Sequence, residues 1–153
     1  MHILFVCTGN TCRSPMCEAY FTRLLEQAGI SDVSVSSAGL FAGGGMPASN
    51  GSVTIMQDFD IDLSSFRNVQ LDENLLEQAD LVVAMSTSHR AHIGAMNPAA
   101  LDKTKLLLEF ADQPETDVPD PFGGAKQVYR NCFEEMKKAL DNLLLELDKF
   151  KKN

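Results

Sequence analysis

The sequence predicts an α/β fold, a three-layer α/β/α sandwich around a four-stranded parallel sheet. Short apolar runs alternate along the chain with segments of helical periodicity, as in parallel sheets that are covered by helices on both faces. The length agrees, because 153 residues make one ordinary domain whose core needs no disulfide or metal to fold. We therefore expect a single domain over residues 1–153, with ligands bound beyond the carboxyl ends of the strands.

Four short, β-favouring runs are the predicted strands. The first is continuously apolar and is ended by Gly9 and Asn10, which is typical of a strand buried on both faces. The second alternates valine with serine. In chain order the predicted strands span residues 3–6, 33–37, 81–85 and 105–108.

Capping residues and apolar spacing indicate the helices. The first is expected to begin with Ser14 as its N-cap and Pro15 in the first helical position, with Met16, Tyr20 and Leu24 on its apolar face. The later helices are predicted over residues 48–59, 72–78, 88–96 and 126–150. The inward residues predicted for the last helix are Val128, Cys132, Leu140, Leu143 and Leu147.

Two loops separate these elements. Residues 39–47 contain three consecutive glycines and form either a simple connector or a pocket wall that carries Leu40 and Phe41. Residues 112–124 form a polar loop with three prolines.

Composition and charge exclude several classes of protein. No stretch approaches the roughly 20 consecutive apolar residues of a membrane span. The formal net charge of −8 provides no global positive field for nucleic acid. The first residues lack the basic and apolar regions of a signal peptide, so we expect a cytoplasmic protein that binds neither membrane nor nucleic acid.

The cysteines and histidines do not predict a metal site. Without a secretion signal the cysteines are expected to be reduced thiols. Cys7, Cys12 and Cys17 do not have the paired spacing that zinc prefers. His89 and His92 form an H-x-x-H pair with no cysteine nearby, and we interpret them as solvated residues of a helix surface. We expect neither a metal nor a cofactor.

The most unusual segment, of pattern C-x5-R, joins the first strand to the first helix. A short loop at this place points successive backbone N–H groups into one concavity, which binds anions together with the helix dipole. Arg13 can fork two hydrogen bonds onto a phosphoryl group. The same positive surroundings favour Cys7 as a thiolate nucleophile, to which Ser14 can donate a hydrogen bond. The other residues predicted to bind phosphate or support the loop are Thr8, Gly9, Asn10, Thr11 and Cys12.

At these residues the chain resembles the low-molecular-weight protein tyrosine phosphatases. Their signature V-C-x-G-N-x-C-R-S-P is present from Val6 to Pro15, and a second signature, Asp-Pro before an aromatic residue, is present as Asp120-Pro121-Phe122. Residues 36–39 and 79–85 also resemble the family, so the similarity covers essentially the whole chain. It implies a phosphotyrosine protein phosphatase I-like fold and a hydrolase that dephosphorylates protein side chains.

The resemblance implies a mechanism in two steps, and the residue chemistry supports it. Cys7 attacks phosphorus, while the loop amides and Arg13 hold the equatorial oxygens. Asp120 protonates the leaving group and then helps water to hydrolyse the cysteinyl-phosphate. Asp-Pro is also a common turn dipeptide, and spacing alone does not select Asp120 among the acids of its loop. The implied partners are phosphorylated proteins, with inorganic phosphate or oxyanion inhibitors in the loop.

The remaining cysteines have structural or protective interpretations. Cys12 either packs under the loop or forms a reversible disulfide with Cys7 that protects the nucleophile, and the family precedent favours the disulfide. Cys17 and Cys132 fall on apolar helix faces and are predicted to lie in the core.

Three departures from the family pattern bear on the substrate. Thr11 replaces the usual Ile or Leu, Phe122 is followed by two glycines where many members have two tyrosines, and Phe66 replaces a histidine. A Thr hydroxyl can accept a hydrogen bond from a phosphoguanidinium, whose buried donors would otherwise cost roughly 1–3 kcal/mol each. The bacterial protein-arginine phosphatases resemble this chain in Gly-Asn-Thr-Cys-Arg-Ser and in Asp-Pro-Phe-Gly-Gly, so the sequence favours phosphoarginine.

Other functions remain as alternatives. A tyrosine phosphatase would use the same mechanism. For either substrate we expect Thr11 and Phe122 to line the pocket, together with Leu40 and Phe41 if the glycine loop is a wall. A thiol-linked arsenate reductase would need further cysteines near the cleft, and residues 40–131 contain none. A phosphate-binding module without catalysis would need neither Cys7 nor Asp120.

Overall fold

The computed structural model describes residues 1–151. It contains four strands and five α-helices, which alternate along most of the chain. In chain order they are β1 (His2–Cys7), α1 (Arg13–Gln27), β2 (Ser34–Gly39), α2 (Asn50–Gln57), α3 (Glu73–Gln78), β3 (Leu81–Ala84), α4 (Thr87–Met96), β4 (Thr104–Leu106) and α5 (Lys126–Glu146). Short 3₁₀ helices span Pro98–Lys103, Leu107–Ala111 and Leu147–Lys149.

The strands form one parallel sheet in the order β2-β1-β3-β4. All carboxyl ends therefore lie at the same edge, and β1 has a hydrogen-bonded neighbour on each side. Cys7, the last residue of β1, pairs with Gly39 at the end of β2. The predicted four-stranded parallel sheet is confirmed, and it delivers Cys7 to the edge where such sheets bind ligands.

Two apolar clusters cover the two faces of the sheet. Ile3 and Phe5 belong to the cluster that includes residues of α1, α2 and α5, whereas Leu4 and Val6 belong to a cluster with residues of α3 and α4. Successive residues of a strand point to opposite faces, and here both faces are apolar. This explains the continuous apolar run in β1 and confirms the three-layer architecture.

The start of α1 differs from the prediction. The helix begins at Arg13, and its N-cap position is Cys12, whose side chain makes no capping bond among the described residues. The Ser14 hydroxyl does not cap the helix, because it lies 2.9 Å from the Cys7 sulfur and accepts a hydrogen bond from Asn10. The loop before α1 thus uses the serine that the sequence pattern assigned to the cap.

The last helix also differs in detail. It ends as an α-helix at Glu146 and continues as a 3₁₀ turn, and Val128 is 46% exposed rather than inward. The buried stripe of α5 starts at Tyr129, and Val128 lies at its edge, against Gly124. The other predicted inward residues of this helix are buried. None of the helices within residues 1–151 is long and apolar enough to cross a membrane.

Candidate active site

The loop between β1 and α1 is a cradle of backbone amides. Its carbonyls at Cys7, Thr8, Gly9, Thr11 and Cys12 each accept a hydrogen bond from outside the loop, at 2.8 to 3.1 Å. The donors lie between β2 and β3 in the chain. In the order of the carbonyls they are Leu40, Phe41, Asn68, Ser49 and Ser52. A trans peptide directs its N–H opposite to its carbonyl. Carbonyls that are drawn outward therefore turn the following N–H groups toward the centre, where an anion can bind.

Asn10 organises this loop from within. It adopts left-handed backbone angles (φ 54°), which asparagine tolerates better than most residues. Its buried side chain donates to the hydroxyls of Ser14 and Ser37, at 2.7 and 2.9 Å, and accepts from the Val69 amide at 2.8 Å. The histidine that Phe66 replaces in the family pattern is therefore not needed to hold Asn10 in place.

The close approach of β2 to the loop requires glycine at position 39. A Cβ atom at Gly39 would lie 2.7 Å from the Thr8 carbonyl oxygen and 2.8 Å from the Asn10 nitrogen. Both atoms belong to the backbone of the cradle and cannot move without distorting it. The similarity of residues 36–39 to the family pattern thus has a steric reason.

The thiol of Cys7 lies at the floor of the cradle and is only 2% exposed. Its sulfur is 2.9 Å from Ser14 Oγ. Because Asn10 already donates to that oxygen, the Ser14 hydroxyl hydrogen is free to point to the sulfur. The Ser14 hydroxyl is thus placed to donate a hydrogen bond to the Cys7 sulfur.

Arg13 enters the cradle from the first turn of α1 and is 5% exposed. Its Nη1 donates to the Val118 carbonyl at 2.8 Å, and its Nη2 lies 3.8 Å from Asp120 Oδ2. Within residues 1–151 the buried Nε has no hydrogen-bond partner. The Nε and Nη2 edge of the guanidinium is thus suited to fork two hydrogen bonds onto an oxyanion.

Asp120 lies on an exposed loop that is anchored to β3 and α4. The Val118 amide donates to the Met85 carbonyl and the Thr87 amide donates to Asp117, both at 2.8 Å. Arg90 and Glu115 form a bidentate ion pair, with the two nitrogen–oxygen distances at 2.8 and 2.6 Å. These contacts place the Asp120 carboxylate beside Arg13, where a general acid would meet the leaving group.

The side chains converge on a cavity of about 230 Å³. Of the predicted site residues, it is lined by Cys7, Thr8, Gly9, Thr11, Cys12, Arg13, Asp120 and Phe122. Asn10 and Ser14 lie beneath this surface, where both are fully buried.

Leu40 and Phe41 are not among the residues that line the cavity. Leu40 is buried in the core cluster on the α3 and α4 side of the sheet, and only its backbone touches the site, through the bond to the Cys7 carbonyl. Phe41 is 70% exposed, with its ring edge-to-face against His92 at 5.4 Å. The structure therefore does not place these two side chains at the pocket wall.

His89 was missed as a site residue, because the sequence favoured a solvated position for it. It is 4% exposed, and its Nε2 lies 2.8 Å from the Thr8 hydroxyl, whereas His92 is exposed as expected. Burial, together with the nearby charge of Arg13, lowers the pKa of His89 to about 4. The sequence contained one indication of this position, because His89 follows β3 closely. The carboxyl ends of β3 and β1 lie at the same edge of the sheet.

The four cysteines are free thiols in this structure, and all are buried. Cys12 lies 3.4 Å from the Tyr129 hydroxyl, and the disulfide with Cys7 stays a prediction. Cys17 and Cys132 lie in the core as expected, where burial raises the pKa of Cys17 and raises that of Cys132 to about 12. No group of three or more potential metal ligands occurs within residues 1–151.

A thiol in an amide cradle, flanked by an arginine and a carboxylate on a parallel α/β sheet, defines a cysteine-dependent phosphatase. The family model of the low molecular weight phosphotyrosine protein phosphatases matches residues 2–153, and the chain belongs to this family. The resemblance seen in the two signatures is thereby confirmed.

Relatives carry two different substrate names. The chain is 40% identical to a protein-arginine-phosphatase of Bacillus subtilis, over 97% of this chain and 98% of the relative. It is 34% identical to the low molecular weight protein-tyrosine-phosphatase PtpA of Staphylococcus epidermidis, over 94% and 92%. A solved structure of YwlE arginine phosphatase, a cysteine-to-serine mutant with a phosphorylated active-site serine, superimposes with a TM-score of 0.91 and 39% identity, covering 97% of each chain.

Proposed function

We propose that this chain is a protein-arginine phosphatase that hydrolyses phosphoarginine side chains through a cysteinyl-phosphate on Cys7. The observation that carries the substrate choice is Thr11, a hydroxyl-bearing residue in the wall of the cavity. The name of the 40% identical relative from Bacillus subtilis supports the same choice.

Thr11 suits a guanidinium better than an aliphatic residue would. Among residues 1–151 its hydroxyl makes only a long contact, 3.8 Å to the Cys12 sulfur, so its lone pairs can accept from a substrate N–H. Phosphoarginine carries several such donors, and each one left unpaired on burial costs roughly 1–3 kcal/mol. An Ile or Leu at this position would leave a donor of phosphoarginine unpaired, whereas it would pack well against the phenyl ring of phosphotyrosine.

In the first step the Cys7 thiolate attacks phosphorus in line with the leaving guanidine nitrogen. The inward loop amides and the Nε and Nη2 edge of Arg13 hold the three equatorial oxygens, where negative charge spreads in the transition state. Asp120, exposed at the cavity rim, gives its proton to the leaving nitrogen. The products of this step are free arginine on the substrate protein and a cysteinyl-phosphate.

In the second step water replaces the sulfur on phosphorus. Asp120, now ionised, takes a proton from the water as it attacks. Ser14 stabilises the departing thiolate through its hydroxyl, whose oxygen is 2.9 Å from Cys7 Sγ. The positive charge that the reaction needs comes from the loop amides and Arg13, so we propose that no metal or cofactor takes part. We also propose that inorganic phosphate and other oxyanions inhibit the enzyme by binding in the loop.

A tyrosine phosphatase is the second candidate. The observation in its favour is the 34% identical relative named as a protein-tyrosine-phosphatase. The exposed Phe122 at the cavity could also stack on a phenol ring. The mechanism would be the same, with the phenol oxygen as the leaving group.

The test is kcat/KM of the reduced protein on phosphoarginine and phosphotyrosine peptides of the same sequence, with Cys7→Ser as the blank. We expect a preference for phosphoarginine, and we expect Thr11→Ile to shift it toward phosphotyrosine by about tenfold or more. Thr11→Ser, which keeps the hydroxyl, is the matched control. A wild-type preference for phosphotyrosine would refute the substrate choice, and turnover by Cys7→Ser would refute the mechanism.

The redox state that this chemistry requires also bears on location. A thiolate nucleophile acts only while it is reduced, and thiols stay reduced in the cytosol. We therefore propose a cytoplasmic enzyme whose partners are phosphorylated proteins.

A further inference from the structure

A hydrogen bond joins α4 to the phosphate cradle. His89 Nε2 lies 2.8 Å from the hydroxyl of Thr8, the residue that follows the nucleophile. The His89 amide donates to the Ser86 hydroxyl at 3.2 Å, which fixes the histidine in the first turn of α4. The neighbouring Thr87 amide holds the loop of Asp120 through Asp117. The start of α4 thus contacts both the phosphate cradle and the loop that carries Asp120.

The protonation of the imidazole determines what Thr8 can do. Burial and the charge of Arg13 lower the pKa of His89 to about 4, so the ring is neutral at pH 7 and carries one N–H. A proton on Nε2 is donated to Thr8 Oγ1 and leaves the threonine hydrogen free. A proton on Nδ1 would force Thr8 to donate to the ring instead.

The surroundings of the other ring nitrogen favour the first arrangement. Nδ1 is buried and has no hydrogen-bond partner within residues 1–151. A buried N–H without a partner is rarer in proteins than an under-satisfied acceptor. The proton therefore belongs on Nε2, where it has the Thr8 oxygen as its acceptor.

We propose that His89 is a positioning residue, which donates from Nε2 to Thr8 and so directs the Thr8 hydroxyl hydrogen to the phosphoryl oxygens. Thr8 lines the cavity, and its hydroxyl becomes a side-chain donor in addition to the loop amides and Arg13. The inference rests on the proposed phosphatase function and adds to it a contact that depends on α4.

A double-mutant cycle tests the coupling. We expect Thr8→Val to lower kcat/KM about tenfold and His89→Leu about fivefold, in the range of one hydrogen bond to a charged group. The double variant should be no worse than Thr8→Val alone, because His89 acts through that hydroxyl. Losses that multiply in the double variant would overturn the proposal. Thr8→Ser, which keeps the hydroxyl, should restore most of the activity.

Two amide substitutions separate positioning from packing. The amide nitrogen of His89→Gln can occupy the place of Nε2 and donate to Thr8, whereas that of His89→Asn can reach only the place of Nδ1. We expect His89→Gln to stay within about twofold of the wild type in kcat, and His89→Asn to resemble His89→Leu. His92→Gln, on the exposed side of the same helix, is the control. Equal loss in both amide variants, at similar melting temperatures, would assign His89 a packing role only.

Two readouts without turnover complete the test. Inorganic phosphate, titrated by NMR, should bind several-fold more weakly to Thr8→Val and His89→Asn than to the wild type, and nitrogen-15 shifts should show the proton of His89 on Nε2. A proton on Nδ1 would refute the inference. A wild-type protein that neither binds phosphate nor turns over substrate would refute the proposed function itself, whereas active wild type without coupling refutes only the role of His89.

Discussion

Asn10 shows how a single side chain can determine the shape of a catalytic loop. Its amide group bonds Ser14, Ser37 and the Val69 backbone while its own backbone takes the left-handed conformation. The bond to Ser14 is the important one, because it leaves the serine hydrogen for the Cys7 sulfur. The orientation of the hydrogen-bond donor to Cys7 thus depends on the Asn10 side chain, which lies beneath the cavity surface.

Asp120→Asn tests the general acid at the same scale. The amide cannot give up a proton, so substrates with poor leaving groups should suffer most. We expect kcat on phosphoarginine to fall by roughly 10²–10⁴-fold. The loss on p-nitrophenyl phosphate, whose leaving group needs little protonation, should be much smaller. Steady-state kinetics on both substrates measures this.

The interpretation of that variant depends on the ratio of the two losses. Asp120 also accepts from the Phe122 amide, at 3.1 Å, and lies near Arg13. If the substitution only distorted the loop or displaced Arg13, both substrates would be affected equally. Equal losses would therefore contradict the assignment of Asp120 as the acid.

At the scale of elements, the end of β2 and the cradle fit together only because residue 39 has no side chain. Gly39→Ala would place a methyl group against the backbone of Thr8 and Asn10. We expect kcat/KM to fall by up to about 10²-fold, since displacements near 1 Å in an active site can cost that much. Kinetics and thermal unfolding of the same preparation are the measurements.

Gly29→Ala is the matched control for this substitution. Gly29 follows the C-terminal end of α1 and has a φ of 69°, and a Cβ there would meet no atom of the part of the chain that the structure describes. Alanine there strains the backbone by roughly 1–2 kcal/mol, so the melting temperature should fall. Unchanged kcat/KM in Gly29→Ala beside a large loss in Gly39→Ala would separate cradle distortion from general destabilisation.

For the molecule as a whole, the buried His89 makes stability depend on pH. Its pKa is about 4 when folded, below its ordinary value of 6.5. Between these values the unfolded chain binds a proton that the folded chain does not, so acidification favours unfolding. From pH 7 to pH 5 we expect this group to lower the free energy of unfolding by about 2 kcal/mol.

Urea denaturation at both pH values measures that contribution. His89→Gln has no titrating group at this position, so it should lose less stability on acidification than the wild type. The difference between the two proteins isolates His89 from the carboxylates, which titrate in both. An identical pH dependence would show that His89 is not held neutral by burial.

The residue pattern alone predicted those parts of the site that are close together in the chain, whereas Asp120 was assigned only through the resemblance to the family. Cys7 and Arg13 belong to one short segment, in which strand, loop and helix start dictate each other's geometry. The contact of His89 with Thr8 spans 81 residues and has no local pattern, because it depends on two strands ending at the same edge. The sequence left open whether Leu40 lines the pocket for a related reason, since only the sheet determines which face its side chain enters.

The order of the strands also determines which backbone amides are best protected from hydrogen exchange. β1 is paired on both sides and covered on both faces, so its amides can exchange with deuterated water only when the sheet itself comes apart. The proposed nucleophile thus stands on the backbone that we expect to exchange most slowly, whereas the proposed acid, Asp120, stands on an exposed loop. We therefore expect the β1 amides to stay protected from deuterium exchange long after those of the Asp120 loop have exchanged.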